Sequence, residues 1–551
     1  MNLFLHGGLN LNDPLSIGES ETAISENADY RQDGVTRSRD GRSLVYNSSG
    51  GVLIGSADGF LYSFGSGIFK DGVTLSQAIT DPVTTGTMHL YNTQTEACFL
   101  SSAVNYKMVG SSVYRWGISP PSSAPTITYS GTGLTGTFYY KYTYVRRVGG
   151  VLVHESNPSP VSASCTPTNQ QIVVTYTQPS DAQVTHTRFY RTLNNGSSGG
   201  NDFYYDDEVI VGTVSLVTGK ADSALGSLIE TDNDIPSDGI TSIAGPGAYQ
   251  NLFISVGNKV FYSKPSRPES FPALYYTEVG TPYYTIQALV DWGGQVYVFN
   301  KEGVYYLQGT SYDTYFATRT MASKGLFSKH ALCPTELGIM YLGDDGIYAF
   351  NGQAEAKLTD AKVDPIFRGD TVNGINPLNK TYIDNCWMNY FNGKLFLGYP
   401  DANEEYPNKV LMYDFIKKKF SIYDYGKSLR CGFVDKFNHR LLAGDTNGTI
   451  WRLEYGDKDY IDSFTLKVRS RKLTVLEGAT PSIARFDIYN EGGNTLSASL
   501  MRKGDVVYTY NFTDSDNHKR RVLPPISLES FQLEIESSVT SRVKIGVISL
   551  E

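Results

Sequence analysis

The sequence predicts an all-β protein whose centre is a β-propeller of about seven blades, with six as the next count. Three observations lead to this prediction. The 551 residues include 40 tyrosines, 26 phenylalanines and 54 glycines, and this composition favours strands and turns over helices. A short hairpin motif recurs along the chain. Its central copies are spaced by about 43–44 residues, within the ~40–50 residues of propeller blades.

Each copy of the motif consists of an apolar strand, a polar turn rich in Gly, Asp or Asn, and a second strand that carries an aromatic residue. Turn residues such as Asp345-Gly346 and Asn447-Gly448 suit backbone positions with positive φ. Because one hairpin cannot bury its own apolar face, repeated copies must stack on one another. The copies cover 52–64, 106–116, 252–262, 296–306, 340–350 and 441–453, with a degenerate copy over 393–415.

The first and last copies of the motif, 52–64 and 441–453, align without gaps. A ring left open would have an unpaired strand edge at each end. We therefore expect the two parts of the chain to share one blade, in which a strand over 42–46 pairs with the hairpin that ends near Tyr455.

Changes in composition divide the chain into five segments. Residues 1–45 are polar with little periodicity, and predict either an extended N-terminal arm or a floppy terminus. The propeller occupies 46–118 and 237–456. Between these parts, 119–236 alternates like the strands of an immunoglobulin-type sandwich, and we expect an inserted domain that resembles a fibronectin type III module. Residues 457–551 lose the motif and predict a C-terminal β-sandwich.

The net charge of −9 argues against a general nucleic-acid binder, which would present a basic stripe to phosphates. It does not exclude DNA that passes by without being held. The N-terminus lacks the basic and apolar regions of a signal peptide, and no run approaches the ~18 apolar residues of a membrane span. We expect a soluble protein without a membrane span.

Cysteines and histidines show no pattern typical of a metal site. The cysteines lack C-x-x-C spacing and are odd in number, so ordinary buried thiols in a reducing cytoplasm are expected. No histidine is placed to pair with another or with a cysteine. The residues concerned are Cys98, Cys165, Cys333, Cys386, Cys431, His6, His89, His154, His186, His330, His439 and His518. We predict no metal and no cofactor.

Several charged clusters are candidates for chemistry, and each has a simpler interpretation. Asp401, Glu404 and Glu405 could act as paired carboxylates in hydrolysis, but a solvent-exposed loop explains them better. The aspartates within 231–239 do not fit calcium-loop spacing, and linker turns account for them. The lysines at 417–419 form a strand-turn cluster that could also meet an acidic partner. We predict no catalytic residue and no enzymatic activity.

The combination of segments resembles that of a known family of proteins. An arm that reads Asp33-Gly-Val-Thr-Arg-Ser-Arg-Asp-Gly-Arg42 precedes the Asp-Gly hairpins, and an insert with Tyr190-Arg-Thr and Asp222-Ser-Ala-Leu-Gly226 interrupts them. Together with the C-terminal sandwich, these features resemble the tail nozzle (tail tubular hub) proteins of short-tailed bacteriophages. The resemblance implies a homohexameric ring at the distal end of the tail, below an adaptor ring.

Further expectations follow from the same resemblance. The channel of such a ring would retain the genome and later release it into the host, so DNA would pass without specific binding. The protein would be a structural part of the virion, assembled in the bacterial cytoplasm, with contacts to tail fibres or other tail proteins. Two alternatives stay open: a receptor- or glycan-binding propeller, and a propeller that hydrolyses glycans.

Overall fold

The computed structural model describes most of the chain, and the account below concerns those residues. They are 2–3, 5–31, 35–47, 53–57, 60–64, 67–75, 87–91, 97–101, 105–109, 112–200, 202–245, 247–311, 313–359, 362–474, 485–491, 494–512, 518–522, 530–540, 543–545 and 548–550. The regular secondary structure of the described part is almost entirely β-strand, as the composition predicts.

The first half of the chain contains the following strands: β1 (Asn2–Leu3), β2 (Thr22–Glu26), β3 (Ala28–Asp29), β4 (Thr36–Ser38), β5 (Arg42–Asn47), β6 (Leu53–Ala57), β7 (Phe60–Phe64), β8 (Ile68–Lys70), β9 (Val73–Thr74), β10 (Thr87–Tyr91), β11 (Ala97–Ser101), β12 (Asn105–Val109), β13 (Ser112–Arg115), β14 (Thr126–Leu134), β15 (Tyr140–Val148), β16 (Val151–Glu155), β17 (Gln170–Thr175), β18 (His186–Arg191), β19 (Tyr204–Ile210), β20 (Ser215–Thr218), β21 (Ser242–Ala244), β22 (Phe253–Val256), β23 (Lys259–Tyr262) and β24 (Tyr276–Glu278).

The second half continues with β25 (Ile286–Trp292), β26 (Gln295–Asn300), β27 (Val304–Gln308), β28 (Phe316–Arg319), β29 (Leu332–Thr335), β30 (Gly338–Leu342), β31 (Ile347–Phe350), β32 (Glu355–Lys357), β33 (Trp387–Phe391), β34 (Lys394–Tyr399), β35 (Lys409–Asp414), β36 (Lys419–Tyr423), β37 (Leu429–Asp435), β38 (Arg440–Asp445), β39 (Thr449–Leu453), β40 (Phe464–Ser470), β41 (Leu473–Thr474), β42 (Arg485–Glu491), β43 (Leu496–Arg502), β44 (Asp505–Phe512), β45 (His518–Val522), β46 (Ser530–Val539), β47 (Lys544–Ile545) and β48 (Ile548–Leu550). The helical segments are α1 (Asp364–Arg368) and two 3-10 turns, Asp222–Ala224 and Lys380–Asn385.

The chain divides into two compact units. The first unit comprises Met1–Thr85, Phe299–Val304 and Arg319–Glu551, and the second comprises Gly86–Val298 and Tyr305–Thr318. The division does not follow the five predicted segments, since the arm and the C-terminal segment belong to one unit.

Four-stranded antiparallel sheets, in which each strand pairs with the next along the chain, recur in the described residues. In the first unit they are β6–β9, β29–β32 and β37-β38-β39-β5, and strands β33–β36 form the same arrangement at one end of a ten-stranded sheet that continues through β2 and β40. The second unit contains β10–β13 and β21–β24, and strands β25–β28 form a further sheet of the same kind. We call these seven the meander sheets. Their strand order is that of a propeller blade.

Every predicted copy of the hairpin motif coincides with a pair of neighbouring strands in a meander sheet. Five copies, including the degenerate one, form the second and third strands of their sheets. The copy over 52–64 instead forms the first two strands, β6 and β7, and the copy over 106–116 forms the last two, β12 and β13. The motif therefore identifies hairpins correctly but not their place in the sheet, because any two strands of a meander share the same alternation.

In two copies of the motif, an aromatic residue of the second strand donates a hydrogen bond to an aspartate that precedes it. Trp451 Nε1 donates to Asp445 Oδ2 at 2.8 Å, and the other carboxylate oxygen accepts the Thr449 N–H at 2.9 Å. In another copy, the Tyr348 hydroxyl donates to Asp345 Oδ1 at 2.6 Å. The recurrence of Asp before an aromatic strand thus reflects turn stabilisation.

The predicted pairing between the two ends of the propeller segments is confirmed. Strand β5 lies antiparallel to β39, with Arg42 opposite Leu453 and Asn47 opposite Thr449. The fourth strand of this meander sheet therefore comes from a part of the chain about 400 residues earlier in sequence than the other three.

The first strands of neighbouring meander sheets lie side by side in the first unit. At the start of β33, Trp387 Nε1 donates to the carbonyl of Leu429, the first residue of β37, at 3.0 Å. At the other end, the rings of Phe391 and His439 lie 5.1 Å apart. Since start meets start and end meets end, β33 and β37 run in the same direction.

The N-terminal arm takes an ordered, extended course and belongs to the same β-structure as the C-terminal segment. Strand β2 pairs with β36 of a meander sheet on one side and with β40 on the other. Strands β1, β3 and β4 join β42, β47 and β48 in a second sheet. One core is shared by arm residues such as Tyr30 and by C-terminal residues such as Leu466 and Leu533. The described part of the C-terminal segment contains strands, as predicted, and strands of the arm pair with them.

Residues 126–218 form two packed antiparallel sheets, in the orders β14-β17-β20 and β16-β15-β18-β19. Their shared core includes Tyr142 and Phe189 from one sheet and Ile172 and Leu216 from the other. Beside β15, a proline-containing segment replaces a strand. Its three serine hydroxyls accept backbone N–H groups of β15 at 3.0–3.1 Å, from Tyr144 to Ser156, from Tyr142 to Ser159 and from Tyr140 to Ser162.

Candidate functional site

The described residues contain two buried charge clusters that join separate segments of the chain, one in each unit. The first centres on Arg39, in the loop between β4 and β5. Its Nη1 and Nη2 donate to Asp459 Oδ1 and Oδ2 at 2.9 and 2.7 Å, and Nε donates to Asn27 Oδ1 at 2.7 Å. The guanidinium lies 4.1 and 3.9 Å from the ring centroids of Tyr425 and Phe464. This bidentate, stacked geometry fixes the loop in one orientation.

Beside Arg39, the arm is held by a lysine of a meander sheet. Lys394 Nζ, at the start of β34, donates to Asp29 Oδ2 at 3.0 Å and to Glu454 Oε2 at 3.1 Å. Burial would raise the pKa of Asp29, but the charges of Lys394, Arg31 and Arg37 outweigh that effect and lower it. Asp29 is therefore ionised in the folded protein, and its charge is compensated by fixed cations.

We call this cluster the arm network. Its members are Arg31, Arg37, Arg39 and Lys394 with Asp29, Asp40, Glu454 and Asp459. The four cations and four anions balance in formal charge. Since each buried charge has an opposite neighbour, the cost of removing the charges from water is largely offset within the network.

The arm motif quoted above for the resemblance supplies further contacts in the same place. A side chain at Gly41 would bring a Cβ atom within 1.9 Å of the Lys458 carbonyl oxygen, so only glycine fits. Arg42 Nε donates to the Tyr425 carbonyl at 2.9 Å, and its guanidinium lies 4.1 Å from the Trp451 ring. Residues 39–42 thus fasten the arm where β5 begins.

The second cluster, in the second unit, joins the inserted segment to two meander sheets. Lys107 Nζ, on β12, donates to Glu269 Oε2 at 2.6 Å and to Gln183 Oε1 of the insert at 2.7 Å. The Gly117 N–H donates to the same Glu269 oxygen at 3.1 Å. Burial would raise the pKa of Glu269, but Lys107 lowers it. We call Lys107, Glu269 and Gln183 the insert lock.

His154, near the end of β16, is buried beside the insert lock. Burial lowers the pKa of His154 to about 4, so the ring is neutral at pH 7. Its Nδ1 lies 3.3 Å from Ser270 Oγ, and Nε2 has no hydrogen-bond partner among the described residues. Protonation would place a positive charge near Lys107, Arg267 and Lys264, opposed by the carboxylate of Glu269.

Two of the linker aspartates, Asp232 and Asp234, bind side chains of the same unit. Lys264 Nζ donates to Asp232 Oδ1 at 2.5 Å and to Glu230 Oε2 at 2.8 Å. Asn157 Nδ2 of the insert donates to Asp234 Oδ1 at 2.6 Å. These contacts fasten the return linker, in agreement with the expectation that linker structure explains its acids.

The three acids considered for hydrolysis were expected in a solvent-exposed loop, and Asp401 departs from that expectation. Asp401 is buried and structural: its Oδ1 accepts the Asn403 N–H at 3.3 Å and its Oδ2 the Asn376 amide at 3.4 Å. Glu404 and Glu405 are exposed in the loop between β34 and β35. The lysines at 417–419 lie at the β35–β36 turn, as predicted.

The thiols and the other histidines are dispersed. Cys165, Cys386 and Cys431 are buried thiols and Cys333 is half-buried, whereas the side chains of Cys98, His89 and His518 lie outside the described residues. Burial lowers the pKa of His330 to about 3. Within the described ranges there is no group of three or more potential metal ligands, and none of the helices there is long and apolar enough to span a membrane.

Comparison with known proteins yields little. No family model and no curated protein matches the chain. Apo AztD from Citrobacter koseri is similar at a TM-score of 0.31 and 12% identity over 72% of this chain and 93% of that one. The computationally designed protein Ika8 is similar at a TM-score of 0.24 and 10% identity over 81% and 99%. Likenesses this weak carry no argument about fold or function.

Proposed function

We propose that the meander sheets close into a seven-bladed propeller and that the chain is a structural subunit of a phage tail nozzle. In this proposal 119–236 is a fibronectin type III-like insert and 457–551 a C-terminal sandwich. Two features support closure: β5 completes the sheet of β39, and the first strands β33 and β37 run side by side in one direction. Sharing one sheet between distant parts of the chain removes an open edge.

The arm network is the observation that carries the structural role. It joins the N-terminal arm, β34 and the segment after β39 through charges that are buried and mutually compensated. A part that bears load during genome release must resist separation of its segments. Several simultaneous ion pairs and a sheet that continues from β36 through β2 to β40 provide this resistance.

The electrostatics also suit a DNA channel. The basic residues of the arm network are occupied by carboxylates, and the whole chain has a net charge of −9. Tight non-specific DNA binding needs exposed cations that displace counterions from phosphates. A wall without such cations would allow DNA to pass.

In the assembled form we propose, six copies make a closed, heterologous ring below an adaptor ring in the virion. Native mass spectrometry and negative-stain microscopy of the purified chain, with and without the adaptor from the same phage, test this. The expected result is a sixfold ring. Monomers alone in both samples would contradict the proposal.

A binding measurement tests the channel separately. Duplex DNA titrated at physiological salt should bind more weakly than about 10⁻⁴ M, the weak end of ordinary non-specific binding. Tight, salt-dependent binding by the assembled ring would instead indicate a protein that holds DNA.

A further inference from the structure

An open cleft of about 400 Å³ lies within the second unit, between turns of strands β21–β28. Its size falls within the ~300–1,000 Å³ of small-molecule sites. Two aromatic side chains at the cleft are accessible, since Tyr249 is 37% exposed and Phe316 is 52% exposed. Gln295 and Gln308 also line it. We call this feature the aromatic cleft.

The back of the aromatic cleft is rigid. The Tyr315 ring packs edge-on against Phe253 and Tyr262, with centroids 5.0 and 4.9 Å apart, and its hydroxyl donates to Asn251 Oδ1 at 3.1 Å. A Cβ at Gly247 would come within 2.6 Å of the Phe253 ring, so this wall tolerates no side chain there. The cleft is therefore formed before any ligand arrives, which lowers the entropic cost of binding.

The polar side chains of the described residues that line the cleft are neutral. Among these residues there is no aspartate, glutamate, lysine, arginine or histidine. Gln295 is held in place, because its amide donates to the carbonyl of Leu307. Gln308 is exposed at the rim. The amides can donate to and accept from hydroxyl groups, whereas an ionic ligand would find no counter-charge.

We propose that the aromatic cleft binds a neutral saccharide. A sugar ring has an apolar face of C–H groups, which suits the electron-rich face of an aromatic side chain. Its edge carries hydroxyls, which suit amides and backbone groups. An anionic sugar or a phosphate would be desolvated without a compensating cation. The inference does not depend on the nozzle proposal, because the cleft lies within one unit of a single chain.

The test is binding of neutral glycans to the full chain. A neutral glycan array, followed by calorimetry with its best ligand or with maltohexaose and N-acetylglucosamine hexamer, should show saturable binding. Phe316→Ala should weaken that binding about tenfold, because one stacked ring is lost. Gln308→Ala should weaken it by a smaller factor, through loss of a hydrogen bond.

The matched control is Tyr283→Ala. Tyr283 is also an aromatic residue of the second unit and is 85% exposed, but it does not line the cleft. Its replacement should leave affinity unchanged. Failure of every neutral glycan to bind, equal binding by Phe316→Ala and the parent chain, or binding of only polygalacturonate or an apolar dye would overturn the proposal.

Discussion

The arm network and the insert lock both bury charge where segments distant in sequence meet, but they differ in the number of partners. Lys394 contacts two carboxylates, and Asp29 receives three cations. In the insert lock, Lys107 has one carboxylate partner and a neutral amide. In the arm network Asp29, Glu454 and Lys394 each face more than one opposite charge. Arg39 and Asp459 instead pair with each other, as Lys107 pairs with Glu269 in the insert lock. The difference predicts which substitutions lower the free energy of unfolding most, and which region is destabilised first as the pH falls.

The largest effect is expected for Asp459→Ala. It leaves the Arg39 guanidinium buried without its bidentate partner, and loss of one member of a buried ion pair costs about 3–5 kcal/mol. The free energy of unfolding, measured by guanidinium denaturation, should fall by that amount. Asp462→Asn is the control, since the Asp462 side chain is 65% exposed and 3.6 Å from Arg42. A loss below about 1 kcal/mol for Asp459→Ala would show that Arg39 is not held by this pair.

Lys107→Met should come next, with a loss of about 3 kcal/mol in the free energy of unfolding, because the buried Glu269 carboxylate loses its ion-pair partner and keeps the hydrogen bond from the Gly117 N–H. The double variant Lys107→Met, Glu269→Met should recover much of the loss, since an apolar pair can replace a single buried ion pair. A double variant less stable than Lys107→Met would contradict the interpretation of the insert lock as a single buried ion pair. Denaturant titration of the single and double variants measures both quantities.

The third prediction concerns pH. The pKa of His154 is about 4 in the folded chain and ~6.5 when unfolded. Between these pH values the unfolded state therefore binds more protons than the folded state. The stability that comes from burying the neutral His154 ring is complete above pH 6.5 and is lost as the pH falls to 4. The loss should approach about 3 kcal/mol.

His154→Gln isolates this contribution. Its stability should fall less than that of the parent chain between pH 7 and 4, and thermal melts at several pH values measure the difference. Identical pH profiles for the two proteins would show that His154 does not titrate as inferred. The arm network should respond only at lower pH, since the pKa of Asp29 is lowered below its ordinary value.

The smallest effect is expected for Arg31→Ala. The Arg31 side chain is 42% exposed, and its carboxylate partners retain Lys394 and Arg37. The cost should be about 1 kcal/mol, as for a partly solvated pair. A loss as large as that of Asp459→Ala, in the same denaturation assay, would contradict the idea that the network shares its charges.

The hairpins and strands could be predicted from the local pattern of apolar and turn-forming residues. Alternating apolar residues and Gly/Asp/Asn turns specify hairpins within a few residues, so each motif copy coincides with a pair of neighbouring strands, and strands are also found after residue 457. The pairing of β5 with β39 was predicted because an unpaired edge is unfavourable. In contrast, the position of each hairpin within its sheet was not predicted, since the pattern of a hairpin is the same in any pair of strands.

Neither buried cluster was found from the sequence. Arg39 and Asp459 are separated by 420 positions, and Lys107 and Glu269 by 162. The only local indication of the arm network was the high density of charged residues over 29–42, and such a density is equally typical of a solvent-exposed arm.

The sequence by itself determined the β-class, the hairpins and the strand that closes a sheet across the chain. Only the tertiary structure decided that strands of the arm pair with strands of the C-terminal segment, and which charges are buried. The physical reason is the distance along the sequence over which each kind of interaction acts. Turn chemistry and alternation act between neighbours, whereas the compensation of a buried charge depends on whichever distant residue the fold brings within about 3 Å.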